Sequence, residues 1–158
     1  MNIRRIEKKD LNAILVLEKL LYKDPWNESN YESEVAHNDY AFMYVLEEND
    51  VILGYAGFWL SYEYATITKV SINPALQRKG LGYYLFSVIM NIALELGATS
   101  FSLEVRESNI KAQNLYSKSG YTKQGKRKGY YSDGEDAIVM IYEKGESHYE
   151  QVYIENRE

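Results

Sequence analysis

The feature that most constrains the fold is a long run of apolar residues at helical spacing. It covers residues 81–96, where apolar side chains recur every three or four positions, and Gly97 ends it. Residues 64–73 before it and 101–106 after it have the patterns of strands, and in the second strand Glu104 faces away from the apolar residues. This strand–helix–strand order predicts a mixed α/β fold.

The first part of the chain contains further predicted elements. A helix is expected to begin after Asp10, which we expect to be its N-cap, and a second short helix is expected over about residues 28–37. Residues 40–47 and 51–62 are rich in β-branched and aromatic side chains. Because the turn signal Glu48-Asn49-Asp50 separates them, these two segments should form a hairpin.

The last part of the chain is predicted to contain one helix and two strands. Ser108 or Asn109 is suited to cap the short helix, and Gly120 is suited to end it. Two strands are expected to follow, over about residues 121–131 and 137–143, with a turn between them.

Composition limits the kinds of function that this chain can have. Its 158 residues suit one domain, which we assign to residues 1–143, followed by a charged tail over residues 144–158. The net charge of −5 argues against a nucleic-acid partner. No apolar run approaches the ~20 residues that span a bilayer, so we expect no membrane partner and a cytoplasmic location. The chain has no cysteine, and His37 and His148 lack ligand spacing, so no metal is expected.

The residues that precede the long helix are unusual for a helix start. The stretch Gln77-Arg78-Lys79-Gly80-Leu81-Gly82 carries two cations where acidic residues are usually favoured. Helix-start N–H groups point outward, and glycines let a ligand approach the backbone, so this stretch is suited to bind a phosphate or pyrophosphate. It lacks the Gly-Lys-Ser/Thr ending of a P-loop and the third glycine of a dinucleotide fingerprint. A tight turn with solvated charges is the alternative.

The same stretch resembles the acetyl-CoA signature of the GNAT family of N-acetyltransferases. Asn109, Ala112, Leu115-Tyr116 and Gly120-Tyr121 resemble the second signature of that family, at the expected distance along the chain. The resemblance covers residues 1–143 and implies acetyl-CoA as co-substrate, with no metal. It also implies a mixed, mostly antiparallel sheet of about seven strands, flanked by about four helices and splayed between its central strands.

Three further stretches resemble a subgroup of this family, the ribosomal-protein alanine and protein N-terminal acetyltransferases. They are Pro25-Trp26, residues 103–106 and residues 130–137. This resemblance implies that the acceptor is the α-amino group at a protein N-terminus, with a ribosomal protein as one candidate. The residues leave two alternatives open: a GNAT acetyltransferase of lysine or a small-molecule amine, and a non-catalytic acetyl-CoA-binding module. Lys69 departs from the family pattern at a strand position that is usually small or uncharged.

The resemblance also implies roles for individual residues. Glu104 matches the general base that takes the proton from the attacking amine, and Tyr116 matches the tyrosine that serves the departing thiolate. A solvated carboxylate and a core aromatic are the respective alternatives. The expected cofactor contacts are Val70, Ser71, Ile72, Gln77, Arg78, Lys79, Gly80, Leu81, Gly82, Tyr83, Asn109 and Tyr116. The expected acceptor contacts are Trp26, Tyr31, Tyr130 and Tyr131, with ordinary packing as the alternative.

Overall fold

A computed structural model of the chain describes residues 1–145, and within them the chain forms four α-helices and seven strands. The helices are α1 (Leu11–Leu21), α2 (Glu28–Ala36), α3 (Leu81–Glu95) and α4 (Ile110–Lys118). The strands are β1 (Asn2–Arg5), β2 (Ala41–Glu48), β3 (Val51–Ser61), β4 (Tyr64–Ile72), β5 (Ser100–Arg106), β6 (Thr122–Arg127) and β7 (Ala137–Glu143). Residues 146–158, which include most of the predicted tail and His148, lie outside the described residues.

The strands form one sheet in the order β1-β2-β3-β4-β5-β7-β6. The pairs β1–β2, β2–β3, β5–β7 and β6–β7 are antiparallel, whereas β4 and β5 are parallel. The ladder between β4 and β5 joins Tyr64, Ala65 and Thr66 to the first three residues of β5. This ladder covers three of the nine residues of β4. The predicted mixed, mostly antiparallel sheet is confirmed.

Contacts divide the chain into two compact units. Unit 1 contains Met1–Trp59 and Lys69–Ile89, and unit 2 contains Leu60–Thr68 and the described chain from Met90 to residue 145. In unit 1, α1 turns one face toward a core in which Tyr31 and Tyr55 are the largest side chains. The other members of this core are Ile6, Leu11, Ile14, Leu17, Met43 and Val45. Burying one such aliphatic side chain contributes about 1.5–3 kcal/mol, so this core contributes substantially to the stability of unit 1.

In unit 2, the alternating pattern of β5 has the predicted result. Phe101, Leu103 and Val105 are buried, while the residues between them are only half-buried. Successive side chains of a strand point to opposite faces, so Glu104 lies on the more open face. Its position in the ladder is opposite Val139 of β7.

Some local expectations were wrong or incomplete. Asp10 stands at the N-cap position of α1 but makes no side-chain cap; its carboxylate instead binds Arg4 at 2.8 Å and the backbone N–H of Glu7 at 2.7 Å. Charged, bidentate hydrogen bonds outcompete a single backbone amide. The expected strand over residues 121–131 ends earlier, at Arg127. Of the two candidate caps of α4, Asn109 is the cap, because its side-chain oxygen accepts from the N–H of Ala112 at 3.1 Å.

Candidate active site

The chain between β4 and α3 is held by its own side chains. After β4 ends, Asn73 Oδ1 accepts a hydrogen bond from the N–H of Ala75 at 3.0 Å. The side-chain amide of Gln77 then donates to the carbonyl of Ile72 at 3.2 Å, which ties the loop back to the strand. Gln77 was expected to contact the cofactor, and in the structure it braces the loop.

The next residues adopt a backbone conformation that costs energy. Arg78 and Gly80 have φ angles of 68° and 77°, in the left-handed region, where a non-glycine residue is strained. Arg78, Lys79 and Gly80 are exposed. The N–H of Tyr84 makes the first bond of α3, to the carbonyl of Gly80 at 3.0 Å. The loop therefore presents two cations beside a helix start, which is an arrangement suited to bind an anion.

Gly54 and Gly82 of unit 1 differ in whether packing within the chain requires a glycine. A Cβ at Gly54 would lie 2.5 Å from the carbonyl oxygen of Ser71, so internal packing accounts for that glycine. A Cβ at Gly82 would meet only the Ile72 side chain, at 3.9 Å, which is ordinary contact. Packing within the chain therefore does not account for glycine at position 82, whereas close approach of a ligand would.

The end of β4 offers its backbone more readily than its side chains. Ser71 and Ile72 are buried, and Val70 is half-buried. The hydroxyls of Ser71 and Tyr22 lie 2.5 Å apart, so the Ser71 side chain already has a partner inside unit 1. Any cofactor contact of these residues would be made mainly through backbone groups.

In unit 2, Glu104 lies beside two other polar side chains. Nε of Arg127 is 2.8 Å from Oε1 of Glu104. Interaction with the Glu104 carboxylate raises the pKa of the Tyr130 hydroxyl above its ordinary value, and partial burial acts in the same direction. Glu104 is thus part of a cluster with Arg127 and Tyr130. The sequence analysis did not predict that Arg127 belongs to this cluster.

Tyr130 and Tyr131 both lie on the connection from β6 to β7. Their rings meet edge to face, with centroids 5.1 Å apart, and Tyr130 is the more exposed of the two. Burial raises the pKa of Tyr131 to about 12. Both hydroxyls therefore keep their protons at neutral pH and can act as hydrogen-bond donors.

Arg106 holds the connection between β6 and β7 in place. Its Nη1 donates to Asp133 at 3.0 Å and to Glu135 at 2.9 Å, and its guanidinium lies 4.0 Å from the ring centroid of Tyr131. Glu135 also accepts from the N–H of Ser108 at 2.8 Å. Sequence reasoning missed Arg106, although three carboxylates within residues 133–136 are a signal that a cation is nearby.

The second expected catalytic residue, Tyr116, lies on α4. It is buried, and its ring centroid is 6.1 Å from that of Tyr121. The backbone N–H of Tyr121 donates to the carbonyl of Tyr116 at 3.0 Å. The aromatic packing that we considered as an alternative is therefore present, and it fixes the orientation of the ring.

The two aromatic residues expected to line an acceptor groove in unit 1 differ in exposure. Tyr31 is fully buried, and its hydroxyl donates to Glu18 at 2.6 Å. A direct contact with an acceptor peptide would need exposed surface, which the Tyr31 side chain does not have. Trp26 is half-buried, with its ring edge-on to Tyr31 at 5.0 Å between centroids. Of the two residues, only Trp26 has surface to offer.

Two further properties concern the described residues as a whole. Residues 1–145 contain no group of three or more His, Cys, Asp or Glu side chains placed to hold a metal ion. In the same part of the chain, no helix has the length and apolar character needed to cross a membrane.

Comparison with known proteins gives consistent matches. The acetyltransferase (GNAT) family model matches residues 11–121. A Bacillus subtilis (strain 168) protein, provisionally named a ribosomal protein bS18-alanine N-acetyltransferase, is 36% identical over 87% of this chain and 92% of its own length. The ribosomal protein bS18-alanine N-acetyltransferase of Escherichia coli K12 is 31% identical over 87% of this chain and 94% of its own length. The crystal structure of the ribosomal-protein-S18-alanine N-acetyltransferase from Escherichia coli matches with a TM-score of 0.82 and 30% identity, covering 90% of this chain and 92% of that one.

Proposed function

This chain belongs to the acetyltransferase (GNAT) family, and from that premise we propose that it acetylates the N-terminal α-amino group of a protein. The chain is an N-acetyltransferase, and acetyl-CoA is its acetyl donor. The names of the most similar relatives support a protein acceptor. Ribosomal protein bS18 is the first acceptor to test, and such an acceptor would place the reaction in the cytoplasm.

The loop that precedes α3 is assigned to the pyrophosphate of acetyl-CoA. The cations of Arg78 and Lys79 and the backbone N–H groups of residues 80–83 supply positive charge and hydrogen-bond donors. The absence of a packing reason for Gly82 supports close approach of the ligand to the backbone there. When bound, acetyl-CoA supplies the thioester that the acceptor amine attacks.

Glu104 is assigned as the general base. An α-amino group has a pKa of roughly 7.7–8.0, so roughly a tenth of it is neutral at pH 7, whereas lysine, at ~10.4, is almost wholly charged. An N-terminal acceptor therefore needs only modest help from a carboxylate. Glu104 is half-buried and lies on the more open face of β5, where an amine or a bridging water can reach it.

Tyr116 is assigned as the group that protonates the departing thiolate, and Asn109, which caps the same helix, as a further cofactor contact. Tyr130 and Tyr131 are assigned to the acceptor backbone, and Trp26 to the acceptor side. The observation that carries the acceptor assignment is the interaction between Glu104 and Tyr130, since it brings the base to an exposed hydroxyl whose oxygen can accept a hydrogen bond from a peptide N–H.

The transfer is proposed to be direct. The chain has no cysteine to carry an acetyl group, so acetyl-CoA and the acceptor must be bound together. Initial-rate plots at several concentrations of each substrate are therefore expected to intersect. Parallel lines would contradict direct transfer.

The proposal is tested with a peptide that carries the N-terminal sequence of bS18 and one internal lysine. Release of CoA and the site of acetylation, located by mass spectrometry, are measured together. The matched control is the same peptide with a formyl group on its α-amine. We expect acetylation of the free α-amine and none of the blocked peptide. Equal kcat/KM for the blocked peptide, or for a small amine such as spermidine, would favour the alternative acceptors instead.

A further inference from the structure

The interior of unit 1 contains a carboxylate that the proposed reaction does not use. Glu18 of α1 is fully buried and accepts two hydrogen bonds from Nζ of Lys69, at 2.7 and 2.9 Å. It also accepts from the hydroxyl of Tyr31 at 2.6 Å, the hydroxyl of Tyr55 at 3.0 Å and the backbone N–H of Trp26 at 3.1 Å. Three donors besides Lys69 therefore hold this carboxylate in a fixed orientation.

Aromatic rings surround the same ammonium group. Nζ of Lys69 is 4.0 Å from the ring centroid of Tyr22 and 4.7 Å from that of Trp26. Both distances fall within the ~6 Å over which a cation is attracted to a ring face. The hydroxyl of Tyr22 is paired with that of Ser71, which keeps the Tyr22 ring in place. The side chain of Lys69 is only 8% exposed.

Each of these groups also has a partner other than Lys69. Tyr31 and Tyr55 fix the carboxylate, Ser71 fixes Tyr22, and Trp26 is fixed through its backbone and its contact with Tyr31. One carboxylate and two ring faces around a single nitrogen make up the chemistry by which proteins recognise ammonium ligands. Burial lowers the pKa of Lys69, and the Glu18 carboxylate opposes that effect.

We propose that Glu18, Tyr22 and Trp26 form a binding site for a primary ammonium group, which Lys69 occupies from within the chain. Occupation by Lys69 keeps free amines out of this site. Lys69 therefore closes this site, and a smaller uncharged side chain at this position would leave it open to a primary amine.

The test uses the Lys69→Ala variant, which lacks the last three carbons and the nitrogen of the lysine side chain. n-Propylammonium chloride supplies the same four atoms. Thermal unfolding is followed at increasing concentrations of it, with sodium chloride keeping the ionic strength constant. A ligand that binds only the folded state at ten times its Kd raises the Tm of a chain this size by about 3–6 °C. We expect a saturable rise of that size for Lys69→Ala and none for the wild type.

Two controls separate recognition of the charge from filling of a cavity. 1-Propanol has nearly the same size without the charge and is expected to raise the Tm of Lys69→Ala much less. The double variant Glu18→Gln/Lys69→Ala has a cavity of similar size without the carboxylate and is expected not to respond to n-propylammonium. Equal responses to the amine and the alcohol, or an undiminished response of the double variant, would overturn the proposal.

The test remains decisive if Lys69→Ala does not fold alone, since the cost of leaving a buried carboxylate unpaired is large. In that case n-propylammonium is expected to restore the far-UV circular dichroism of the folded chain. Lys69→Met, which fills the space without a charge, should not respond to the amine. Failure of the amine to stabilise or refold Lys69→Ala would refute the site. The readout is stability, so the outcome does not depend on the proposed reaction.

Discussion

Arg127 binds the carboxylate that is assigned as the catalytic base, with its Nε 2.8 Å from Oε1 of Glu104. The side chain of Arg127 is 60% exposed and that of Glu104 is 27% exposed. An ion pair this open to water contributes only about 0–1 kcal/mol. An acceptor ammonium can therefore replace the guanidinium at little cost. In the proposed reaction, Arg127 orients the Glu104 carboxylate until the acceptor arrives.

The first prediction concerns the base itself. Glu104→Gln keeps the shape of the side chain and removes its ability to take a proton, so kcat should fall by on the order of 10²–10⁴. The KM for acetyl-CoA should stay near the wild-type value. The loss should shrink as the pH rises through about 8, because more of the α-amine is then neutral without help. A pH–rate profile checks this, and full activity of the variant from pH 6 to 9 would return Glu104 to the role of a solvated carboxylate.

The second prediction concerns the glycine that packing does not explain. Gly82→Ala should not lower the Tm, because the added Cβ meets only Ile72 at 3.9 Å and alanine is a better helix former than glycine. Acetyl-CoA affinity should nevertheless fall by roughly tenfold or more, since the added methyl group would obstruct the proposed approach of the pyrophosphate to the backbone. Isothermal titration calorimetry measures this affinity.

Gly125→Ala is the matched control for that measurement. Gly125 lies on β6 and an added Cβ there would have no neighbour within 4 Å, so neither affinity nor stability should change. If Gly82→Ala binds acetyl-CoA as tightly as the control does, the pyrophosphate assignment is wrong.

Local sequence patterns predicted those elements that are determined by residues close to one another along the chain. The alternation of β5 places Glu104 on the more open face whatever β5 pairs with, because side-chain direction follows from strand geometry. In the same way, α3 follows from its own apolar spacing. The loop at Arg78 was suited to an anion because its charges and glycines lie within a few residues of a helix start. These features need no knowledge of distant residues.

The features that sequence reasoning missed depend on partners far along the chain. β1 has one apolar residue in four, and it exists because it pairs with β2, where Arg4 lies opposite Val45. Glu18 lies on α1, and its partner Lys69 is 51 residues away along the chain. Local spacing does not encode such pairings, so the buried ammonium cluster could be found only in the structure.

The third prediction concerns the connection that carries Tyr130 and Tyr131. Arg106 fastens it through Asp133 and Glu135, so Arg106→Met should let the connection move. We expect the KM for the acceptor peptide to rise roughly tenfold, equivalent to about 1.4 kcal/mol, with little change in the KM for acetyl-CoA. Steady-state kinetics with each substrate varied in turn measures both constants.

The matched control for Arg106→Met removes another cation of unit 2. Lys126 pairs with Glu107 in an exposed ion pair outside that network, and Lys126→Met should leave both KM values near those of the wild type. Equal effects of Arg106→Met on the two KM values would instead indicate general loss of structure.

The last prediction concerns stability at alkaline pH. Burial raises the pKa of Tyr31 and of Tyr55 above the ordinary value of about 10. Above pH ~10 the unfolded chain loses these protons while the folded chain keeps them. Above pH ~10, each tyrosine should therefore lower the free energy of unfolding by about 1.4 kcal/mol per pH unit. Below that pH, neither tyrosine should make the free energy of unfolding depend on pH.

Tyr55→Phe isolates one of these contributions. At neutral pH the variant should be less stable by about 1–3 kcal/mol, because Glu18 loses a buried hydrogen bond. Between about pH 10 and 11 its stability should fall less steeply than that of the wild type, by about 1.4 kcal/mol per pH unit. Lys69, whose pKa is lowered by burial, acts in the opposite direction in both proteins, so the difference in slope reports on Tyr55. Tyr62→Phe, at a side chain that is 90% exposed, should leave the slope unchanged. Urea unfolding at several pH values measures the slopes, and identical slopes for Tyr55→Phe and the wild type would show that Tyr55 titrates normally in the folded chain.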